Sequence, residues 1–164
     1  MKNKVNETYL ITGTNLGNRM ENLNTATALI EKDMGTVIKS SPVYETEPWG
    51  LANQPSFYNQ VILVHTHLTA SGVLAVINKI EKAMGRIRLE KYGARIMDID
   101  ILFFNHEIHH TETLTIPHPR ITERNFVLMP LAEIAGDFIH PVLHRPVSTL
   151  LKQSKDPLYA KKVR

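Results

Sequence analysis

The sequence predicts an α+β fold in which an antiparallel sheet is flanked by helices. Apolar residues recur at helical spacing in two segments, one ending at Met34 and one at Met84. Four runs rich in β-branched and aromatic residues, at 9–12, 37–45, 59–66 and 98–104, alternate with them. Glycine or proline punctuates most of the joins. The resulting order, β-α-β-β-α-β, is that of a ferredoxin-like core, an α/β/α sandwich once further helices cover the open face.

Each element has its own signal. Residues 9–12 are a short apolar run ending at Gly13. The segment 13–18 reads as a β-to-α turn. Its G-x-x-x-G spacing is weak as a phosphate cradle, and neither a Walker-type nor a kinase-type glycine loop occurs. Leu23, Ala26, Leu29/Ile30 and Met34 then keep a helical stripe up to Gly35. Pro42 inside the next strand marks an edge or a bulge. Residues 46–56 hold two prolines, a glycine and the sole tryptophan, and form a loop. Thr69 caps a second helix carrying Val73, Val76/Ile77, Ile80 and Met84, which Gly85 ends. A charged loop spans 86–94. The strand at 98–104 should bury Ile99, Ile101 and Phe103 on one side. Short helices are expected around 126–135 and 147–155 over the sheet's other face, and the basic tail 152–164 is expected to fray.

The 164 residues, 43% hydrophobic and 21% charged, suit one domain over 1–164 with a real core. No apolar run reaches the ~18–20 residues that span a bilayer. The polar first residues carry no signal-peptide pattern, so a cytoplasmic protein is expected. The absence of cysteine excludes disulfides, thiolate metal sites and cysteine nucleophiles. A formal charge of +3 suits an anionic small substrate and would also suit nucleic acid.

The strongest chemical signal is Asp98-Ile99-Asp100. On a strand the two carboxylates share a face, ~7 Å apart along the chain. Acidic groups on an apolar strand need positive charge nearby. Mg²⁺, which takes oxygen ligands and shares them with substrate phosphates, would supply it, and so would surface ion pairs with Arg95. Arg86, Arg88 and Arg95 precede the pair, and His118, Arg120 and Arg124 follow, a layout suited to phosphoryl groups. His118 lies between two prolines that stiffen its backbone. The loop 46–59 mixes Trp49, Phe57 and Tyr58 with Thr46, Asn53 and Asn59, a combination that holds flat heterocycles by stacking and edge hydrogen bonds. Phe57 and Tyr58 precede a core strand, and one of them must face inward. On the second helix Asn78 and Glu81 share a stripe distinct from the apolar one and can face a ligand together. The pairs His65/His67 and His109/His110 lack a third ligand at a known metal spacing.

Taken together, these motifs resemble the 6-hydroxymethyl-7,8-dihydropterin pyrophosphokinases of folate biosynthesis. The carrying residues are Gly13-Thr14-Asn15-Leu16, Tyr44-x-Thr46, Pro48-x-Gly50, Gln54-Pro55-x-Phe57-x-Asn59, Glu81, Gly85-Arg86-x-Arg88, Gly93-Ala94-Arg95-x-x-Asp98-Ile99-Asp100-Ile101, Pro117-His118 and Arg124-x-Phe126. The resemblance implies transfer of pyrophosphate from ATP to the pterin hydroxymethyl group with release of AMP. It implies two Mg²⁺ ions on Asp98 and Asp100, and charge stabilisation by Arg86 and Arg95. Phosphate contacts from His118 and Arg124 are implied, with a nucleotide border of Asn78, Glu81, Arg88, Tyr92, Ile101 and Thr115. The implied pterin slot is Thr46, Glu47, Trp49, Phe57, Asn59 and Phe126. Glu47 stands where the family often has proline, and Asn78 where it usually has glutamine. The loop between Arg88 and Gly93 is a residue short, with Tyr92 where a tryptophan can occur. The implied partners are the two small-molecule substrates, with no nucleic acid and no membrane, on a monomer or weak dimer. The alternatives are a nucleic-acid module, another metal-dependent nucleotide transferase using the same D-x-D strand, and a catalytically dead relative. Carboxylates on the fourth strand would repel nucleic-acid phosphate, the pterin-loop residues argue against the second, and Asp98, Asp100, Arg86 and Arg95 argue against the third.

Overall fold

A computed structural model of the chain describes residues 4–47, 55–85 and 96–163. Its elements are β1 (Asn6–Thr14), α1 (Arg19–Asp33), β2 (Gly35–Ser40), β3 (Tyr44–Thr46), β4 (Phe57–Thr66), α2 (Ala70–Ala83), β5 (Asp98–Phe104), a small hairpin of β6 (His109–His110) and β7 (Thr115–Ile116), α3 (Asn125–Ala135), α4 (Val147–Lys152) and β8 (Lys161–Lys162). The main sheet is antiparallel: β5 pairs β1, β1 pairs β4, and β4 pairs both β2 and β3. This is the expected ferredoxin-like arrangement.

Pro42 explains why two short strands share one edge of β4. Proline donates no ladder hydrogen bond, and the run read as one strand over 37–45 breaks there. β2 pairs residues 62–66 of β4, and β3 pairs residues 57–59. Ser41 bridges the break: its N–H donates to the Val61 carbonyl at 2.8 Å and its Oγ accepts the Val61 N–H at 3.0 Å.

The sheet is buried on both faces, so strand residues alternate between two cores. Leu10, Ile62, Val64, Ile99 and Ile101 pack with Leu23, Ala26 and Ile30 of α1 and Val73, Ile77 and Ile80 of α2. Tyr9, Ile11, Val61 and Leu63 pack on the opposite face with Val127, Leu128 and Leu131 of α3 and with Val147 and Leu150 of α4. The expected caps are present. Thr69 Oγ1 accepts the Gly72 N–H at 3.1 Å, and Gly85 leaves α2 with φ +79, a conformation that side chains disfavour. Among the described residues no helix is long and apolar enough to cross a membrane.

Three expectations need correction. β1 runs through Gly13 and Thr14, so the turn starts later than the glycine suggested. Phe103 does not share a side with Ile99 and Ile101. Leu10 pairs Ile101 and Tyr9 pairs Phe103, which leaves Leu102 as the extra residue of a β-bulge. One inserted residue reverses the phase, and Leu102 and Phe103 both join the α3 core. The tail does not simply fray: α4 stops at Lys152, and residues 161–162 pair with β3 as β8.

Phe103 is fully buried, whereas Ile38 on the edge strand is 45% exposed. Phe103→Ala should cost about 3–5 kcal/mol of unfolding free energy, and Ile38→Ala less than about 1 kcal/mol. Urea denaturation of both variants checks the contrast.

Candidate active site

A cleft opens where the ends of β1, β4 and β5 meet the first turn of α3. Register builds its floor. Gly13 of β1 pairs Asp98 of β5 on one side and Asn59 of β4 on the other, so these three residues form one row across the sheet. All three line the cleft, as does Ile11 one step further along β1. The middle position of that row has no side chain. A Cβ at Gly13 would collide with Asn59 Oδ1. The glycine therefore leaves room for the Asn59 amide, in a row whose third member, Asp98, also lines the cleft. Asn59 itself is only 5% exposed.

The β5 side is acidic. Asp98, Asp100 and Leu102 line the cleft in alternation, which is the shared face expected from their spacing. The backbone between the aspartates is fixed from the sheet's outer edge. Glu81 of α2 is buried and its Oε2 accepts the Ile99 N–H at 2.8 Å. That carboxylate does for an edge strand what a neighbouring strand would otherwise do.

The bulge at Leu102 serves the same corner. Its carbonyl accepts the His118 N–H at 3.1 Å, which docks the proline-flanked His118 loop against β5. The His118 imidazole lines the cleft with Nε2 4.0 Å from Asp100 Oδ2. Its Nδ1 accepts the Arg120 N–H at 3.1 Å, so a neutral ring carries its proton on Nε2. Burial, reinforced by the charges of Arg124 and Arg120 and opposed by Asp98, pushes its pKa down to about 4. His118 is therefore a neutral donor facing the aspartates, where the sequence grouped it with the cations.

The opposite end is aromatic. Phe57 at the start of β4 and Phe126 in the first turn of α3 line the cleft with Thr46 and Glu47. Tyr58, on the other face of β4, packs against the α1–α2 core, which settles which of the two adjacent aromatics faces inward. Arg124 also lines the cleft, its guanidinium 5.5 Å from the Phe126 ring centroid. Arg19 ties together the two stretches of chain that border this end. It donates to Ser56 O at 2.9 Å, to Ser56 Oγ at 2.8 Å and to Glu45 Oε2 at 3.4 Å, and it lies over the Tyr58 ring. The Ser56 hydroxyl, against a smaller opposing effect of burial and with help from Arg19, holds the Glu45 carboxyl below its ordinary range.

The cleft thus gathers Asp98, Asp100, His118, Arg124, Thr46, Glu47, Phe57, Asn59 and Phe126. Four other expected residues stand outside its lining. Asn78 is exposed on α2 while Glu81 is buried, so the two do not present one common surface. Ile101 is 7% exposed in the α1–α2 core, and Thr115 is exposed on β7. Trp49, Arg86, Arg88, Tyr92 and Arg95 lie outside the described residues. The sequence reading passed over Gly13 as a floor residue, along with Ile11, Leu102 and Val127. Only Gly13 carried a sequence signal, a glycine closing a β-run, and it read equally as a turn.

Fold and cleft define an α+β protein with a cleft at one end of the sheet, acidic along β5 and aromatic between β4 and α3. Residues 9–136 match the family described as 7,8-dihydro-6-hydroxymethylpterin-pyrophosphokinase (HPPK). The 2-amino-4-hydroxy-6-hydroxymethyldihydropteridine pyrophosphokinase of Bacillus subtilis is 43% identical over 130 residues, covering 79% of this chain and 78% of the relative. The protein of the same name from Haemophilus influenzae is 36% identical over 149 residues, covering 90% and 92%. The folic acid synthesis protein fol1 of Pneumocystis carinii is 38% identical over 148 residues, 90% of this chain but 20% of that protein. The chain spans about a fifth of the length of such larger relatives. In the solved structure of Plasmodium falciparum HPPK-DHPS with pteroate, the matching part has a TM-score of 0.79 at 22% identity, covering 93% of this chain and 45% of that one, a likeness of fold. The chain belongs to the HPPK family.

The depressed pKa of His118 has a measurable consequence. An unfolded histidine takes its proton near 6.5, and the folded one only near 4. The unfolded state binds more protons between these values, so this group's contribution to stability should be intact above 6.5 and decline as pH falls toward 4. Imidazole NMR of the metal-free protein should find His118 neutral, with its proton on Nε2, at pH 6. A protonated ring at that pH would contradict the assignment.

Proposed function

We propose that the chain transfers the β,γ-pyrophosphoryl unit of ATP to the hydroxymethyl group of 6-hydroxymethyl-7,8-dihydropterin, yielding AMP and the pterin diphosphate in folate biosynthesis. One observation carries the reading: a member of this family has a single cleft that joins an Asp98–Asp100 face to an aromatic slot bearing a buried amide. Such a cleft has a place for a charged phosphate chain beside a place for a flat heterocycle.

In this reading Phe57 and Phe126 take the two faces of the pterin, and Asn59 and Thr46 meet its polar edge. Glu47 stands at the rim, and Trp49 completes the slot. Arg124 and the Nε2–H of His118 donate to ATP phosphates. Arg86 and Arg95 neutralise charge on the transferring group, and Asn78, Arg88, Tyr92 and Thr115 border the nucleotide beyond the cleft, while Glu81 and Ile101, on the buried side of β5, act only through that strand's backbone. The pterin hydroxyl oxygen forms a bond to the β-phosphorus, the bond from that phosphorus to the α,β-bridging oxygen breaks, and AMP leaves. The hydroxyl proton is lost to solvent. The protein's part is positioning and electrostatics, which suffice for this kind of transfer.

Asp98 and Asp100 fit the two Mg²⁺ ions that the reading requires. They offer hard oxygen ligands from one strand face, both are half-exposed, and both open to the cleft. Among the described residues no group of three or more acidic, histidine or cysteine ligands converges. The remaining positions would fall to phosphate oxygens and water, as is usual for this ion. Bound there, the metal would neutralise charge on the triphosphate and polarise the transferring phosphoryl oxygens. A cytoplasmic setting goes with the reading, because ATP is abundant there.

Protein, ATP, Mg²⁺ and the reduced pterin should together yield AMP, and AMP should be absent when either the pterin or the metal is withheld. ADP as the product would overturn the reading. Asp98→Asn and Asp100→Asn should each lower turnover by about 100-fold or more with an unchanged far-UV circular dichroism spectrum. Turnover within twofold of the unaltered chain would remove the metal role.

Gly13→Ala should fold, because alanine is compatible with a strand, and should raise the KM for the pterin at least about tenfold by displacing the Asn59 amide. Steady-state kinetics with each substrate varied separately measures it. An unchanged pterin KM would mean that the floor of the cleft is not the pterin site.

A further inference from the structure

Helix α3 carries one wall of the aromatic slot, yet its first turn is not capped by its own N-cap residue. The Arg124 side chain makes no capping bond. The acceptor comes from 31 residues later: Asp156 Oδ2 receives the Asn125 N–H at 2.8 Å. A carboxylate there also suits the positive end of the helix. Asn125 returns the contact. Its Nδ2 donates to the carbonyls of Asp156 at 3.1 Å and Leu158 at 2.8 Å, and the Leu158 N–H donates to Asp156 Oδ1 at 2.9 Å. Asn125 lies between Arg124, just before the helix, and Phe126 in its first turn, both of which line the cleft.

The same segment then reaches β3, whose Thr46 pairs Phe57 of the opposite wall. Residues 161–162 form β8 on the free edge of β3, with Glu45 opposite Lys161 and Tyr44 opposite Lys162, and the Val163 N–H donates to Val43 O at 2.8 Å. β3 carries Thr46, and Glu47 follows it. A second tie closes the loop. Lys162 Nζ lies 2.9 Å from Glu133 Oε2 of α3, and the Tyr44 hydroxyl donates to that oxygen at 2.6 Å. Burial and the Glu133 carboxylate keep the Tyr44 phenol protonated, so it stays a donor.

A planar ring is gripped on both faces only when the walls stand about 7 Å apart, two carbon contacts of ~3.5 Å. We infer that residues 154–163 form a strap that fixes the separation of the two walls of the slot, with Asp156 and Lys162 as positioning residues, one at each end. The inference rests on the proposed pterin site.

The test compares Asp156→Ala, Lys162→Met and the double variant in steady-state kinetics, with thermal melting as the control for folding. Lys162→Met retains the apolar stem and removes only the charge. A strap released at either end is released altogether. Each single variant should therefore raise the pterin KM about tenfold, and the double variant should raise it about tenfold as well, not a hundredfold. The KM for ATP should stay within threefold, and Asp156→Asn, which keeps one acceptor, should recover part of the loss. Unchanged pterin KM in both single variants would overturn the strap, as would multiplying effects in the double variant. Parallel rises in both KM values with a falling melting temperature would also overturn it, by reducing the contacts to general stability. If the unaltered chain does not turn over the pterin, the proposed function itself fails. If it does and the variants match it, only the strap fails.

Discussion

Everything in the cleft is arranged around a missing side chain. At Gly13 the middle strand of the row contributes only backbone, the Asn59 amide fills the space left free, and Asp98 lines the cleft on the other side. A methyl group there would overlap Asn59 Oδ1. The row therefore sets an acid and an amide in fixed register on either side of the glycine, on a sheet whose two buried faces hold it rigid. Strand register positions groups more tightly than a loop would, which is what a reaction governed by positioning needs.

Around that row, several irregular features act on the same corner. The bulge at Leu102 turns one carbonyl toward the His118 loop and so brings a neutral imidazole up to Asp100. Glu81 satisfies the Ile99 amide at the edge of the sheet and holds the backbone between the two aspartates. Arg19, Glu45 and Ser56 join the chain on the two sides of residues 48–54. None of these groups needs to touch a substrate to matter. Each removes freedom from a group that lines the cleft.

What the sequence made legible was local. Helical periodicity, the Thr69 cap and the Gly85 stop all depend on neighbours within a few residues, and the structure has each of them, whereas Pro42, read as an edge or bulge within one strand, divides that run into two. The shared face of Asp98 and Asp100 follows from strand alternation alone, and the mixed aromatic and amide character of residues 57–59 from composition. What could not be read is non-local. Phe103 changes sides because of a bulge defined by pairing with β1. Glu81 reads as a ligand-facing acid until the strand whose amide it accepts is in place. The Lys-rich tail reads as solvated until β3 offers it an unpaired edge. Gly13 carries the same ambiguity, since a glycine that ends a β-run is a turn by local rules and a floor only when strands on both sides are known.

The central claim is that one cleft seats a flat ring between Phe57 and Phe126 and a metal-bound triphosphate beside Asp98 and Asp100. The most direct measurement is a crystal structure of the chain with Mg²⁺, a non-hydrolysable ATP analogue and the reduced pterin. The account predicts the pterin ring between those two side chains, its polar edge on Asn59, its hydroxymethyl group directed toward the β-phosphorus, and metal density on both aspartates. A pterin bound elsewhere, or a triphosphate whose metal does not touch Asp98 or Asp100, would contradict it.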